Sequence, residues 1–188
     1  MSNVAALLEL LDHATIHDLG RTMTNGMAQS PNHPSFRHCL DRRHGDRVRE
    51  DGGSAAADLL TTGCHVGTHV DALAHVSHDG LLFGGVSAAE AQATGKFEVL
   101  GIHELPPFVG RGVLLDIATM LGVDVCEPGY EITVSDLEAT VARQSTPIRP
   151  GDAVLIRSGW GKHFADDAAY RGVGTGVPGV GEAGARWL

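Results

Sequence analysis

The sequence predicts a mixed α/β fold in a single domain spanning residues 1–188. Two apolar segments, residues 111–117 and 153–157, are bounded by glycine or proline, a pattern typical of buried strands. Between them, residues 133–144 carry apolar side chains at helical spacing. The chain also contains 25 glycines among its 188 residues, which predicts many turns. A chain of this length can enclose a core of its own.

The N-terminal third predicts short elements separated by turns. Its first residues place leucines at helical spacing, and a later stretch contains Asn-Gly and two prolines, which are turn and loop signals. The predicted elements are a helix over 3–11, a strand over 15–19, a loop over 23–34, a strand over 35–40, a solvated turn over 42–53 and a strand over 54–62.

Further along, helices and strands alternate up to the last residue. We predict a helix over 87–94 that starts with a capping box of Ser87 and Glu90, and a strand over 96–102. The helix over 133–144 has Ser135 as its candidate N-cap and Glu138 as its box partner. A last helix over 182–188 ends after two turns on an apolar Trp-Leu pair. We therefore expect the chain to be truncated relative to its relatives, and a docked terminal helix is the alternative.

Composition excludes several classes of function. Apolar residues make up 43% of the chain and charged residues 20%, as in ordinary globular proteins. A formal net charge of -9 argues against binding to nucleic acid or to an anionic membrane. We expect no membrane span, because no apolar run approaches the ~20 residues required. Three cysteines, far apart, and an N-terminus without a basic signal region fit a reducing cytoplasm.

The densest chemistry in the chain lies between His65 and His75. His65, His69 and Asp71 supply two imidazoles and a carboxylate, which zinc, manganese and iron accept as ligands. All three have odd numbers, so an extended chain would point them to one side. A straight strand would still hold the two histidines about 13 Å apart at roughly 3.3 Å per residue. We therefore predict a bend near Gly67, which glycine permits at little steric cost.

Other residues near this segment have competing interpretations. His75 lies further along and suits a catalytic acid or base better than a ligand. Cys64 has the opposite parity, so we interpret it as a buried neutral thiol. His33 and His38 flank Pro34 and either reach the pocket or, more commonly for such residues, face solvent. His163 is a weaker candidate for a ligand contact, and we expect three aromatic residues to be packing residues: Phe36, Phe83 and Trp160.

With those residues considered, residues 65–75 resemble the H-x-G-T-H-x-D-x-x-x-H signature of the putative cyclase family, which includes bacterial kynurenine formamidase and isatin hydrolase. The resemblance extends to the strands near residues 113 and 153 and covers nearly the whole chain. It implies a mixed-sheet, swivelling β/β/α fold, usually in a homodimer or tetramer. It also implies zinc or manganese bound by His65, His69 and Asp71, with His75 as the catalytic acid or base.

The sequence departs from the family pattern at two places. Family members supply a further histidine and a glutamate or glutamine from a C-terminal region, and this chain has no position to receive them. Kynurenine formamidases carry a tryptophan before a proline in the early loop, where this chain has Ser30-Pro31. The second departure argues against kynurenine-type recognition, and no substrate-binding residue is assigned.

The resemblance implies a metal-dependent hydrolase that opens an amide or lactam, such as a formamide or a cyclic amide, with metal-activated water. Two alternatives stay open at this point. One is an inactive metal-binding fragment or paralogue, and the other is a biosynthetic cyclase or dehydratase of the same family. We expect a small-molecule substrate and a homo-oligomer in each case.

Overall fold

The computed structural model describes residues 3–188, apart from the side chains of Asn3 and Leu7, and has a mixed α/β fold. Its helices are α1 (Asn3–Asp12), α2 (Ala88–Ala91), α3 (Ile117–Leu121), α4 (Val134–Gln144), α5 (Asp167–Tyr170) and α6 (Glu182–Trp187). Its strands are β1 (Arg37–Arg42), β2 (Ala57–Thr61), β3 (Gly112–Asp116), β4 (Glu131–Ile132), β5 (Ala153–Arg157) and β6 (Gly179–Val180). Three two-stranded sheets result: β1 with β2, β3 with β5, and β4 with β6.

The main core lies in the C-terminal part of the chain, where helices α3 and α4 pack against the β3–β5 pair. These two strands run parallel, with Val113 opposite Val154 and Leu115 opposite Ile156. Along β3 the side chains alternate, so that Val113 and Leu115 are buried while Leu114 is exposed. The buried residues that form this core are Val113, Leu115, Ile117, Ala118, Cys126, Ile132 and Leu137. The two strongest strand predictions are therefore confirmed.

Helix α4 covers this core, and its bounds match the predicted range of 133–144 to within one residue, but its N-cap differs from the predicted one. Thr133, not Ser135, is its N-cap, and Asp136, not Glu138, completes the capping box. The Asp136 carboxylate accepts hydrogen bonds from the Thr133 backbone N–H at 2.9 Å and from its hydroxyl at 2.8 Å. Thr133 has extended backbone angles, as an N-cap requires, whereas Ser135 already lies inside the helix. Two overlapping capping patterns were present in the sequence, and the first one starts the helix.

Strands β1 and β2 form an antiparallel hairpin whose tip is the predicted turn. The register pairs Arg37 with Thr61 and Cys39 with Leu59, and it shifts between Leu40 and Arg42. Both strands fall within or beside their predicted ranges, with β1 displaced by two residues toward the C-terminus. The hairpin leads directly into the segment that contains His65.

Two predicted strands are wrong. Residues 15–19 are irregular, and the Asp18 carboxylate accepts the Gly20 backbone N–H at 2.8 Å, which turns the chain. Residues 96–101 are also irregular and Ile102 begins a short 3₁₀ helix, and Leu100 has a φ of 59°, outside the range of a strand. Apolar runs of this length do not form strands unless a partner strand is beside them.

The helices near the ends of the chain match their predicted bounds to within one residue, whereas α2 is about half as long as predicted. Helix α1 ends one residue beyond its predicted end, and α6 ends one residue before. Helix α2 starts after Ser87, whose hydroxyl accepts the Glu90 N–H as predicted, but it lasts only four residues. Among residues 3–188, no helix combines the length and the apolar character that crossing a bilayer requires.

Candidate metal centre and active site

The segment that follows β2 is an irregular loop that bends at Gly67. Gly67 has a φ of 68°, in the left-handed region that favours glycine, so the predicted bend is confirmed. A Cβ at this position would lie 3.4 Å from Met27 Cε and 3.5 Å from Met23 Cγ. Since residues 65–75 include no strand, side-chain parity does not bring the candidate ligands together. The bend and the turns after it do so.

His65, His69 and Asp71 converge. One ligand atom from each lies within 4.8 Å of the others. The Asp71 Oδ1 atom accepts a hydrogen bond from His65 Nδ1 at 2.6 Å and lies 3.3 Å from His69 Nε2. This cluster can hold a metal ion, and it is the one such group found among the described residues.

The backbone fixes the orientation of His69. Its Nδ1 lies 2.9 Å from the Gly67 carbonyl oxygen, which can only accept, so Nδ1 carries the proton and donates. The lone pair of the neutral ring therefore sits on Nε2, the atom that faces Asp71. Metal-binding histidines commonly have such a carbonyl partner on the other nitrogen. Two imidazoles, one carboxylate and this orientation fit a borderline divalent ion such as zinc or manganese.

The electrostatic surroundings favour the charged form of Asp71. Partial burial raises the pKa of this carboxyl, but the hydrogen bond from His65 and the positive charges that His75, His65 and His69 carry when protonated outweigh that effect. The net pKa of Asp71 is below its ordinary value. An ionised carboxylate is the form that coordinates a metal.

His75 lies beside the cluster and outside the group of converging ligand atoms. Its ring stacks on that of His65, with centroids 3.6 Å apart and an angle of 25° between the planes. It is exposed to solvent. The position is close enough for a proton-transfer role next to the cluster, and it sets His75 apart from the three converging residues.

His33 also reaches the cluster, which the sequence left as the less common outcome. Its ring centroid lies 5.0 Å from that of His65 and 6.4 Å from that of His75. His38, its neighbour across Pro34, instead pairs with Asp58 on the hairpin at 2.9 Å, as expected of a surface histidine. Neither histidine has a helical or strand spacing that relates it to residues 65–75. Sequence alone therefore could not tell which of the two reaches the cluster.

Arg21 connects the motif loop to two other loops, and sequence reasoning missed it. Its backbone N–H donates to Thr68 Oγ1 at 2.9 Å, and its guanidinium donates to the Gly161 carbonyl at 2.8 Å. The guanidinium also lies over the Phe164 ring, 4.8 Å from the centroid. Arg21 thus joins the early loop, the motif loop and the loop after β5. These partners are 47 and 140 residues away, so no local signal identifies them.

The remaining candidates are partly corrected. Cys64 is exposed and outside the ligand cluster, so its interpretation as a buried thiol is wrong. Phe36 packs against Met27 and Val66 as predicted, but Phe83 is 66% exposed and does not act as a packing residue. Trp160 is anchored by its indole N–H, which donates to the Tyr170 carbonyl at 2.7 Å. His163 lies against the edge of Trp160, 4.7 Å between ring centroids, outside the cluster.

Comparison with known protein families agrees with the motif and the fold. The family model described as "Putative cyclase" matches residues 17–188. This chain belongs to the putative cyclase family. No curated protein matches the chain.

Solved structures of cyclase-family type resemble this one. A crystal structure described as a novel cyclase has a TM-score of 0.82 and 27% identity, over 97% of this chain and 63% of that one. Isatin hydrolase A from Ralstonia solanacearum has a TM-score of 0.73 and 22% identity, over 100% of this chain and 68% of that one. An isatin hydrolase bound to the product analogue thioisatinate has a TM-score of 0.67 and 19% identity, over 100% of this chain and 70% of that one.

These likenesses confirm the predicted fold class, the mixed α/β fold of the cyclase family. The chain spans 63% of the length of the novel cyclase. Its own residues must therefore carry any argument about activity.

Proposed function

We propose that this chain is a metal-dependent hydrolase of an amide, either a formamide or a cyclic amide. His65, His69 and Asp71 would be the metal ligands and His75 the catalytic acid or base. The convergence of the first three side chains within 4.8 Å is the observation that carries the proposal. Isatin hydrolases share the fold, and their name points to cyclic amides as a class to test first.

Each side chain has a distinct task in this proposal. A bound zinc or manganese ion would supply a Lewis acid that polarises a carbonyl and lowers the pKa of water. Asp71 accepts the His65 Nδ1 proton and so orients that ring, and the Gly67 carbonyl keeps His69 in the tautomer whose Nε2 faces the cluster. His75, stacked on His65, would take a proton from the attacking water and return it to the leaving nitrogen.

We further propose a small-molecule amide or lactam as partner and a homo-oligomer as assembly. Two exposed leucines on one face of the hairpin, Leu40 and Leu60, support self-association, because apolar side chains grouped on a surface favour contact with another chain. Three free cysteines support a reducing cytoplasm as the location.

An inactive metal-binding protein is the second candidate. The openness of the cluster favours it, since the Asp71 side chain is 49% exposed and His75 is exposed as well. Catalytic metal sites gain from exclusion of water. A biosynthetic cyclisation or dehydration is the third, and it would give a different product from the same site.

Turnover of a panel of aryl formamides and lactams by protein loaded with zinc or manganese tests the proposal. We expect hydrolysis by the wild type and a loss of about 100-fold or more in kcat for His75→Ala, the size of a general acid or base contribution. Metal content should not change. His78→Gln is the matched control, because His78 lies three residues on with its side chain 96% exposed.

Each other result has a definite meaning. Unchanged turnover in His75→Ala would exclude the role given to that residue. Stoichiometric metal without hydrolysis of any amide would favour the binding protein. A cyclised or dehydrated product would favour the biosynthetic enzyme.

A further inference from the structure

The loop before β1 is fixed against the motif loop by its own hydrogen bonds. The Gln29 side chain donates to the His33 carbonyl at 3.3 Å and accepts from the Phe36 N–H at 3.0 Å. The Gly63 N–H donates to the Pro34 carbonyl at 3.0 Å, just before the motif begins. Phe36 is buried against Val66 inside that motif. The backbone on both sides of His33 is therefore held in place.

His33 projects its ring toward the cluster from this fixed loop. The residue is half-buried, and its ring centroid lies 5.0 Å from that of His65 and 6.4 Å from that of His75. Among residues 3–188, neither ring nitrogen of His33 has a hydrogen-bond partner, whereas His65 Nδ1 donates to Asp71 and His69 Nδ1 donates to the Gly67 carbonyl. The His33 nitrogens are also outside the group of ligand atoms that lie within 4.8 Å of one another.

His33 and His75 are spaced to contact one small molecule together. A hydrogen bond of about 2.9 Å places its partner atom roughly 4 Å from the centroid of the imidazole. Two rings with centroids 6.4 Å apart can therefore both reach one atom, or two atoms bonded to each other. The three converging residues form one side of the site, and the His33–His75 pair forms another.

We infer that His33 is a substrate-binding residue of this site, whose imidazole hydrogen-bonds a polar atom on or next to the leaving nitrogen of the amide. This inference rests on the proposed function, because it takes the substrate to be an amide that reacts beside His75. A His33 in this role would favour amides that have a hydrogen-bonding group on or next to the leaving nitrogen over amides that are alkylated there. A site built around such a hydrogen bond discriminates strongly against ligands that lack it.

Cobalt-substituted protein separates this role from metal binding. Co²⁺ takes the same ligand types as zinc, and its visible spectrum reports the ligands directly. We expect His33→Ala and His33→Gln to keep the wild-type cobalt spectrum and metal stoichiometry. A changed spectrum would make His33 a metal ligand and overturn the inference. His38→Gln is the matched control, because His38 lies four residues beyond Pro34, in β1, and pairs with Asp58 on the hairpin.

Binding of benzohydroxamate, an amide analogue, to cobalt-loaded protein gives the second readout. We expect His33→Ala to weaken its binding about tenfold, His33→Gln to recover part of the loss, and His38→Gln to match the wild type. Wild-type affinity in His33→Ala would overturn the inference.

Kinetics on the best amide of the panel complete the test. We expect His33→Ala to raise KM about tenfold with a smaller change in kcat, whereas His75→Ala lowers kcat. If the wild type binds hydroxamate but hydrolyses no amide, the proposed function fails while the binding result still decides the role of His33. If the wild type is active and His33→Ala has an unchanged KM and hydroxamate affinity, the function stands and this inference fails.

Discussion

The two parts of this molecule are held together by different interactions. Residues 111–188 contain the main core, in which Leu115, Ile117 and Leu137 are fully buried. The part before residue 111, which carries the histidines of the candidate site, has two smaller hydrophobic clusters, around Met27 and around Ala74. It also has a hairpin with exposed leucines. Its loops are positioned by single polar contacts such as Arg21 to Thr68 and Gln29 to His33.

This difference shows that stability and site geometry reside in separate regions. Burial of apolar area provides most of the folding free energy, so the core around β3, β5 and α4 should dominate unfolding. Single hydrogen bonds contribute only about 1 kcal/mol each, but they set where the candidate ligands lie. Substitutions in the two regions should therefore affect different measurements.

Truncation in the core should have the largest effect on stability. We expect Leu137→Ala, at a side chain that is 0% exposed, to lower the free energy of unfolding by about 2–5 kcal/mol, because it removes buried methyl groups and leaves a cavity. Urea unfolding followed by circular dichroism measures it. Ile16→Ala, at a side chain that is 85% exposed, is the control and should change stability by less than about 0.5 kcal/mol. Equal losses would contradict the difference between the regions.

A change at the bend should act on metal affinity rather than on the core. Gly67→Ala forces a left-handed conformation that costs about 1–2 kcal/mol for other residues. It also displaces the carbonyl that orients His69. We expect zinc or manganese affinity to fall about 10–100-fold, as for other residues that support a ligand, measured by titration calorimetry.

Gly151→Ala is the matched control for this change. Gly151 has a φ of 88° and open space around its Cβ position, but it lies in the turn before β5. It should carry a similar backbone cost without loss of metal affinity. Wild-type affinity in Gly67→Ala would show that the bend does not set the ligands.

The cap of α4 should give the smallest effect, and one that depends on pH. Desolvation raises the pKa of Asp136, but hydrogen bonds from the Thr133 backbone and hydroxyl and from Tyr130 outweigh it, and the net pKa is lowered. A carboxyl with a lowered pKa in the folded state stabilises the fold above its unfolded pKa. That contribution disappears as pH falls through the folded pKa.

We expect Asp136→Asn to cost about 1 kcal/mol at neutral pH, as for loss of a helix cap. The difference from wild type should shrink as pH falls below the ordinary range of aspartate. Urea unfolding at a series of pH values measures it. Glu138→Gln, at the exposed position first assigned to the capping box, should behave as wild type throughout. A constant loss at all pH values would contradict a role for the Asp136 charge.

The sequence predicted the core better than the site because the two depend on different signals. The apolar segments at 111–117 and 153–157 are bounded by glycine or proline and have the length of a strand, so β3 and β5 could be predicted from local pattern. The ligand set of His65, His69 and Asp71 was visible as a motif, and the bend at Gly67 followed from distance alone. The short strands β4 and β6 have two residues each and no periodicity to detect.

What the sequence could not supply was contact between distant segments. Arg21 joins residues 47 and 140 positions away, and His33 meets His65 because the early loop folds back onto the motif. Neither contact has a spacing rule. The predicted strands over 15–19 and 96–102 failed for the related reason that strand formation depends on a partner.

Metal uptake by wild type and Asp71→Asn tests the central claim most directly. Titration calorimetry with zinc and with manganese, checked by elemental analysis, gives affinity and stoichiometry without reference to any substrate. We expect one ion per chain for the wild type, and at least about 100-fold weaker binding for Asp71→Asn, since an amide lacks the charge that would hold the ion and that pairs with His65. Wild-type protein that takes up neither metal, or an Asp71→Asn variant that binds as tightly, would contradict the assignment of His65, His69 and Asp71 as a metal centre.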